Sequence, residues 1–250
     1  MNALLPALLS RRSVGPRHLT GPDLTEGELL SLAEAAAAAP DHGMLGPLQL
    51  IHIPARHRGA LAEVFAQAAL EADPMADAAA LQAARDRAMA GPALIAVLAR
   101  LTPDHPVVPV EEQWVAVGAG LQNLLLAALS LGLDAKPLSG RRVKSQALRQ
   151  AFRLPDTTHL VAFVALGRAV DDRRERPRRK PGDLMQSWSP VKEASARNIA
   201  ALADKLKLDP AKALSCCGAA PAAATDCCGG SKVGTRHRKG RKLLLRRHPA

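Results

Sequence analysis

Residues 114–140 read WVAVGAGLQNLLLAALSLGLDAKPLSG, and their reading decides the fold. With Glu111 and Glu112 ahead of them, they predict one long apolar helix over residues 111–133, ended by Gly132 and Asp134. A short strand over 135–138 follows, and then Ser139-Gly140. The helix approaches membrane-spanning length, but it carries adjacent amides, Gln122-Asn123, at its centre, and Gly118, Gly120 and Gly132 along it. Two amides at mid-bilayer are costly, so the stretch reads as the buried helix of a soluble protein and not as a span. A buried amide must find a partner. Gln122 and Asn123 are therefore expected to satisfy backbone groups at an interface, or else to face a bound ligand, and Gly118 and Gly120 to let a second copy of the helix approach closely.

Working outward from this helix, strands alternate with helices and no tight hairpin signal joins two strands. Upstream, helices are expected over 2–10, 25–39, 60–70 and 77–89, with Thr25 and two early glutamates, Glu26 and Glu28, marking a capped start. Short apolar runs at 48–53 and 93–99 suit buried strands. Downstream come a basic helix over 142–152 and a strand over 159–165 closed by Gly167. The pattern is α+β, with helices layered on a central sheet.

The chain has 250 residues, 48% of them hydrophobic, yet 2% are aromatic and none is tyrosine, so the core is built from Ala, Leu and Val. Its net charge of +11 is unevenly placed. Residues 1–170 hold 15 basic and 15 acidic side chains, and residues 171–250 hold 19 against 8, the whole excess. A basic field confined to one end describes a tail and not the surface of the domain. Three regions are expected: a domain over 1–188, an amphipathic helix or linker over 189–212, and a disordered Cys- and Lys/Arg-rich tail over 213–250. All four cysteines lie in that tail as Cys216-Cys217 and Cys227-Cys228, a spacing that matches no C-x-x-C knuckle, so no metal site is assigned. The basic run at 232–247 lacks aromatics for base stacking, which leaves non-specific contact with polyanions as its expected chemistry. The opening Met1-Asn2-Ala3 has no basic n-region, and the domain has no cysteine for a disulfide; a cytoplasmic protein is the natural reading.

Five segments, in order, carry a resemblance. They are Arg11-Arg12-Ser13 after the first helix; Ala39-Pro40-Asp41-His42 after the second; Gly118 to Ala128 followed by Leu131-Gly132-Leu133; Leu138-Ser139-Gly140 after a short strand; and Phe163-Val164-Ala165-Leu166-Gly167 followed by Arg176-Pro177-Arg178. Together they resemble the nitroreductase family, and in particular its compact branch with short insertions, over nearly 190 residues. The resemblance implies a three-layer α/β/α nitroreductase-like fold with a central mixed or antiparallel sheet. It also implies a homodimer that binds FMN, takes hydride from NAD(P)H and passes it to a small acceptor such as a nitroaromatic or a quinone.

Arginine suits a phosphate because its planar fork bonds two oxygens at once. By resemblance Arg11 and Ser13 reach the FMN phosphate and ribityl chain with Arg12 alongside, and Arg176 and Arg178 close on the same phosphate. His42 belongs to a loop that contributes to the pocket of the neighbouring subunit. Pro137, Leu138 and Ser139 line the isoalloxazine, largely through backbone. Relatives often carry a basic residue where this chain has Ala38 or Ala39, and a Trp and a polar residue where it has Pro137 and Leu138. The flavin face is therefore more apolar and one N–H donor poorer here. No residue is singled out as catalytic, because flavin chemistry asks the protein for position and electrostatics. In keeping with this, the domain has no G-x-S-x-G, H-E-x-x-H or G-x-G-x-x-G motif. The alternative is a flavin-free, degenerate nitroreductase-fold binding protein acting through its basic tail.

Overall fold

The computed structural model describes residues 4–170, 177–185 and 187–188. They fall into two units divided between Pro177 and Arg178. The second is described only as a short exposed segment with one 3-10 turn, Pro181–Asp183. The expected regions 189–212 and 213–250, with the Cys pairs and the basic run, lie outside the described residues.

The first unit orders its elements as α1 (Leu4–Ser10), β1 (Leu19–Thr20), α2 (Glu26–Ala37), β2 (Leu48–His52), α3 (Arg58–Ala72), α4 (Ala78–Met89), β3 (Ala93–Arg100), α5 (Val110–Ser130), β4 (Asp134–Leu138), α6 (Gln146–Ala151) and β5 (Thr158–Ala169). Local chemistry explains the helix starts. Thr25 and Glu28 close a reciprocal capping box on α2, Asp77 caps α4 and Ser145 caps α6.

Strand β5 is the centre of the sheet. It pairs antiparallel with β3 through residues 158–166 and with β4 through residues 163–167, so the two partners flank it on opposite edges. Beyond β3 lies β2, also antiparallel, and β1 pairs with Arg168 and Ala169 at the end of β5. A single parallel bridge, Ser13 to Ala135, makes the sheet mixed.

Strand β3 is buried on both faces, and its alternation separates the layers. Leu94, Ala96 and Leu98 join Leu61, Phe65, Ala88, Leu148 and Phe163 on the face covered by α3, α4 and α6. Ala93, Ile95 and Val97 join Leu32, Ala36, Leu124 and Ala128 on the face covered by α2 and α5. The register slips between Val97 and Leu98, where the partners jump from Ala162 to Leu160. Val161 is the extra residue of that bulge, and it lets Leu160 and Phe163, at odd spacing, face the same layer.

Four expectations need correction. The basic helix over 142–152 is broken: a 3-10 turn covers Arg141–Lys144, and α6 restarts at the Ser145 cap. Glu71, at the end of α3, fixes that restart by accepting the N–H groups of Gln146 and Ala147 at 2.8 and 2.7 Å. Gly167 does not close the last strand but lies inside β5, where a side chain would meet Pro92 Cγ at 2.5 Å and the Thr20 carbonyl at 3.0 Å. Gly120 serves a close approach within the chain, since a Cβ there would strike Leu48 and come within 3.0 Å of the Ala36 carbonyl of α2. Gly118, by contrast, faces open space. The fourth is an omission: β1 is two residues long and carries no period that a sequence reading could find.

Two buried polar side chains tie loops to helices. Arg58 donates to the carbonyls of Ala88, Ala90 and Gly91 at 2.6, 3.0 and 3.4 Å, so its guanidinium closes the C-terminal end of α4 from the start of α3. Gln113 accepts from Thr102 N and donates to the Thr102 and Val108 carbonyls, clamping the loop before α5 onto the helix.

The Asp23 carboxylate joins the approach to α2 to the end of β2. It accepts from Leu24 N at 2.9 Å, His52 Nε2 at 2.9 Å and Ala55 N at 3.1 Å. Burial alone would push this carboxyl up, but His52 and the two backbone N–H groups outweigh it and hold it below the usual range. A depressed folded value stabilises the protein fully above the ordinary value of 3.8 and loses that contribution as pH falls through the lower one. Asp23→Asn is expected to cost about 1–2 kcal/mol at neutral pH. In paired urea titrations the gap between the two proteins should narrow on acidification below that ordinary value. A gap that stays constant down to full acid unfolding would contradict the assignment.

Candidate functional site

The Ser13 to Ala135 bridge lays the segment after α1 parallel to β4. As the chain advances from Ser13, β4 advances from Ala135 through Pro137 to Leu138, about 10 Å further on at the rise of an extended strand. Arg11 and Ser13 therefore stand toward one end of this edge and Ser139-Gly140 beyond the other. Arg11 Nη1 donates to Ser13 Oγ at 3.4 Å. Arg12 folds back on α1, its Nη1 donating to the Leu9 carbonyl at 2.5 Å and the Arg11 carbonyl at 3.1 Å. It thus closes the helix whose end presents Arg11. Its Nε is buried and has no hydrogen-bond partner among the described residues, an N–H still available to an acceptor.

Strand β4 supplies the far end. Pro137 and Leu138 are half-buried and pair with Val164 and Phe163 of β5, so the core fixes their positions. Strand β4 pairs with β5 and with no other named strand, and such an edge strand is where the missing N–H of Pro137 is tolerated. Gly140 has φ +107°, a conformation that turns the chain sharply from β4 into the 3-10 turn Arg141–Lys144. Ser139 and Gly140 open onto a cavity of about 840 Å3, whose walls include Trp114 of α5 and His159 and Val161 of β5. The Trp114 and His159 rings lie 5.7 Å apart, tilted 39° to each other, on one side of that space.

His42 stands elsewhere. It begins a 3-10 turn, His42–Met44, and its Nδ1 lies 2.6 Å from Glu112 Oε2 in the first turn of α5. Asp41 turns inward and accepts from Gly46 N at 2.7 Å, which shapes the loop that carries His42. The structure thus brings Arg11, Ser13 and the end of β4 to one edge, and places His42 with Glu112 on the α5 side. The exposed residues of α5 include Val115 at 71% and Gly118, and Met44 beside His42 is 91% exposed. Helix α5 has the length and apolarity of a membrane span, yet Ala116, Val117, Gly120, Leu124, Leu125 and Ala128 are buried along its inner face. Gln122 is exposed.

Arg178 is exposed in the second unit, and Arg176 lies outside the described residues. Sequence reasoning missed the cationic side chains that follow Gly140. Arg141 and Lys144 line the cavity at Ser139, but in the sequence Lys144 reads as part of the basic helix over 142–152 and Arg141 is assigned no role.

The residues present fit a mononucleotide. A guanidinium and a hydroxyl at one end of a strand edge, an unpartnered buried N–H beside them, and a turn opening on an apolar-walled cavity at the other end match its phosphate and ring in chemistry and in order. The model of the nitroreductase family matches residues 8–168. A candidate NAD(P)H nitroreductase of Haemophilus influenzae is 32% identical over 167 residues, covering 67% of this chain and 89% of that protein. Among solved structures, a nitroreductase-like family protein of Bacillus cereus superposes with a TM-score of 0.66 at 21% identity, over 76% of this chain and 98% of the other. One from Desulfovibrio desulfuricans, solved in complex with FMN, gives 0.58 at 23% identity, over 76% and 99%. On these grounds the chain belongs to the nitroreductase family, whose members are FMN- and NAD(P)H-dependent oxidoreductases.

Proposed function

We propose that the first unit binds FMN along the Ser13–β4 edge and, as a homodimer, passes hydride from NAD(P)H to a small acceptor such as a nitroaromatic or a quinone. The observation that carries the reading is the Ser13 to Ala135 bridge, which aligns the phosphate-binding chemistry of Arg11 and Ser13 with the turn at Ser139-Gly140. When bound, FMN supplies a ring that takes a hydride and gives it up again. The chain's own residues bind and orient. Arg11 and Ser13 neutralise and hold the phosphate, with Arg12 Nε as a further donor. Pro137, Leu138 and Ser139 support the ring, and the Trp114 and His159 rings bound one side of the adjoining space.

The homodimer reading rests on the outer face of α5, where Val115 and the open surface at Gly118 offer apolar contact and close backbone approach. His42, held by Glu112 at the start of the same helix, is assigned to the partner's pocket by family resemblance. The test is direct. The purified full-length chain is expected to carry the visible absorbance of flavin, to elute at twice the chain mass, and to bleach when NADH or NADPH is added without oxygen. Protein that stays colourless after FMN is added would overturn this reading in favour of a flavin-free binding protein.

A further inference from the structure

Beyond the turn at Gly140, Arg141 and Lys144 form a ridge between two spaces. On one side is the cavity at Ser139. On the other is a cleft of about 590 Å3 between α3, α4 and the 3-10 turn. The cleft's floor is alanine, including Ala72, Ala76, Ala80 and Ala83, and its basic wall is Arg87, Arg141, Arg142 and Lys144. Its two carboxylates are already engaged. Both Glu71 oxygens accept backbone N–H groups of α6, and Asp73 Oδ1 accepts from Met75 N at 3.0 Å. Among the described residues none of the four cations makes an ion pair. Arg142 is held in place by packing, its guanidinium carbon 4.6 Å from the centre of the Phe65 ring. Burial, and then the charge of Arg87, push its pKa down, as expected of cations gathered without a counter-ion.

Four cations against two carboxylates, around a small apolar floor, suit a ligand with a compact multiple negative charge joined to a flat apolar group. A phosphate monoester carries roughly −1.5 to −2 charges near neutral pH and offers three acceptor oxygens. We propose that this cleft binds the adenosine end of NADPH, with Arg87, Arg141 and Lys144 holding its 2′-phosphate and adenine lying on the alanine floor. The inference rests on the proposed function, in which the flavin ring lies at Ser139 and nicotinamide must stack on it, because the ridge of Arg141 and Lys144 borders both that cavity and the cleft and so joins the two ends of one dinucleotide. NADH presents a hydroxyl at the same point and leaves the cations unpaired, so the cleft selects NADPH.

The full chain, with FMN added, is titrated calorimetrically with adenosine 2′,5′-bisphosphate, with AMP and with inorganic phosphate. The bisphosphate is expected to bind ~10–100-fold more tightly than AMP, the range for charge-assisted hydrogen bonds to one phosphate. The double variant Arg87→Gln, Lys144→Gln replaces two exposed side chains and is expected to abolish that preference. It should also lower the ratio of kcat/KM for NADPH to that for NADH by a similar factor. Equal binding of bisphosphate and AMP by the wild type, or an unchanged preference in the variant, overturns the proposal. So does inorganic phosphate binding as tightly as the bisphosphate, which would mark a bare anion site. If the preference appears and is lost in the variant but neither dinucleotide bleaches the flavin, the cleft stands and the hydride-transfer reading falls.

Discussion

Phe163→Ala should lower the stability of the folded chain by about 3–5 kcal/mol, the range for emptying a buried aromatic site. The protein contains three phenylalanines, and all of them meet here. Phe163 of β5 packs edge-on against Phe65 of α3 at 5.3 Å and against Phe152 at 6.0 Å. Apart from Phe65 and Phe152, its layer is built from smaller Ala, Leu, Val and Ile side chains, which are expected to fill the gap only in part. For a unit of this size each kcal/mol moves the thermal midpoint by roughly 2–4 °C, so a fall on the order of 10 °C is expected. Phe163 is also the register partner of Leu138, so the cavity would open beneath the strand end that leads to Ser139. The variant should therefore bind FMN more weakly as well as melt earlier. A midpoint within 2–3 °C of the wild type would show that α3 and α6 close over the space and that the cluster is not the keystone of its layer.

Elements whose stability is local were legible in the sequence. Helix α2 announces itself by Thr25 and Glu28, α5 by its long, mostly apolar run, and β3 by its apolar run after Gly91-Pro92. What could not be read was decided by residues far away in sequence. Glu71 reaches 75 positions along the chain to restart α6, so residues 142–152 read as one helix although the Ser145 cap was present. Gly167 looked like a strand end because glycine usually marks one; only Pro92, packed on it, shows that the glycine keeps β5 continuous. Gly120 shows the same limit more sharply. A glycine in an apolar helix signals that something comes close, but not what does, and here it is α2 of the same chain.

The candidate site was legible in proportion to how much of it lies in short segments. Arg11-Arg12-Ser13 and Ser139-Gly140 were visible as motifs, and the structure adds that one backbone bridge places them on a common edge. Arg12 differs from a second phosphate ligand of equal standing, because two of its contacts close α1 and only Nε remains open. The basic cleft was not legible at all. Arg87 sits at the end of α4 and Arg141 and Lys144 lie more than fifty positions later, so their meeting is a property of packing. Without it, cations scattered through a sequence read as solvated charge.

Arg11→Gln should weaken FMN binding by ~10–100-fold, since a guanidinium on a phosphate is a charge-assisted contact and a neutral amide cannot replace its fork. Arg11→Lys should recover part of the loss, because it restores the charge but not the two parallel donors. The same residue also donates to Ser13, so a purely structural role must be separated from a phosphate role. Riboflavin makes that separation, because it keeps the ring and ribityl chain and lacks the phosphate. Titrating each apoprotein and following the loss of flavin fluorescence should show FMN affinity falling in Arg11→Gln while riboflavin affinity stays at the wild-type level. Raising the salt concentration should erode the wild-type advantage for FMN, as it does for partly exposed ion pairs. If both ligands weaken equally, Arg11 acts by shaping the segment beside β4. If neither weakens, the phosphate lies elsewhere, and the Ser13–β4 edge is not where this protein holds its flavin.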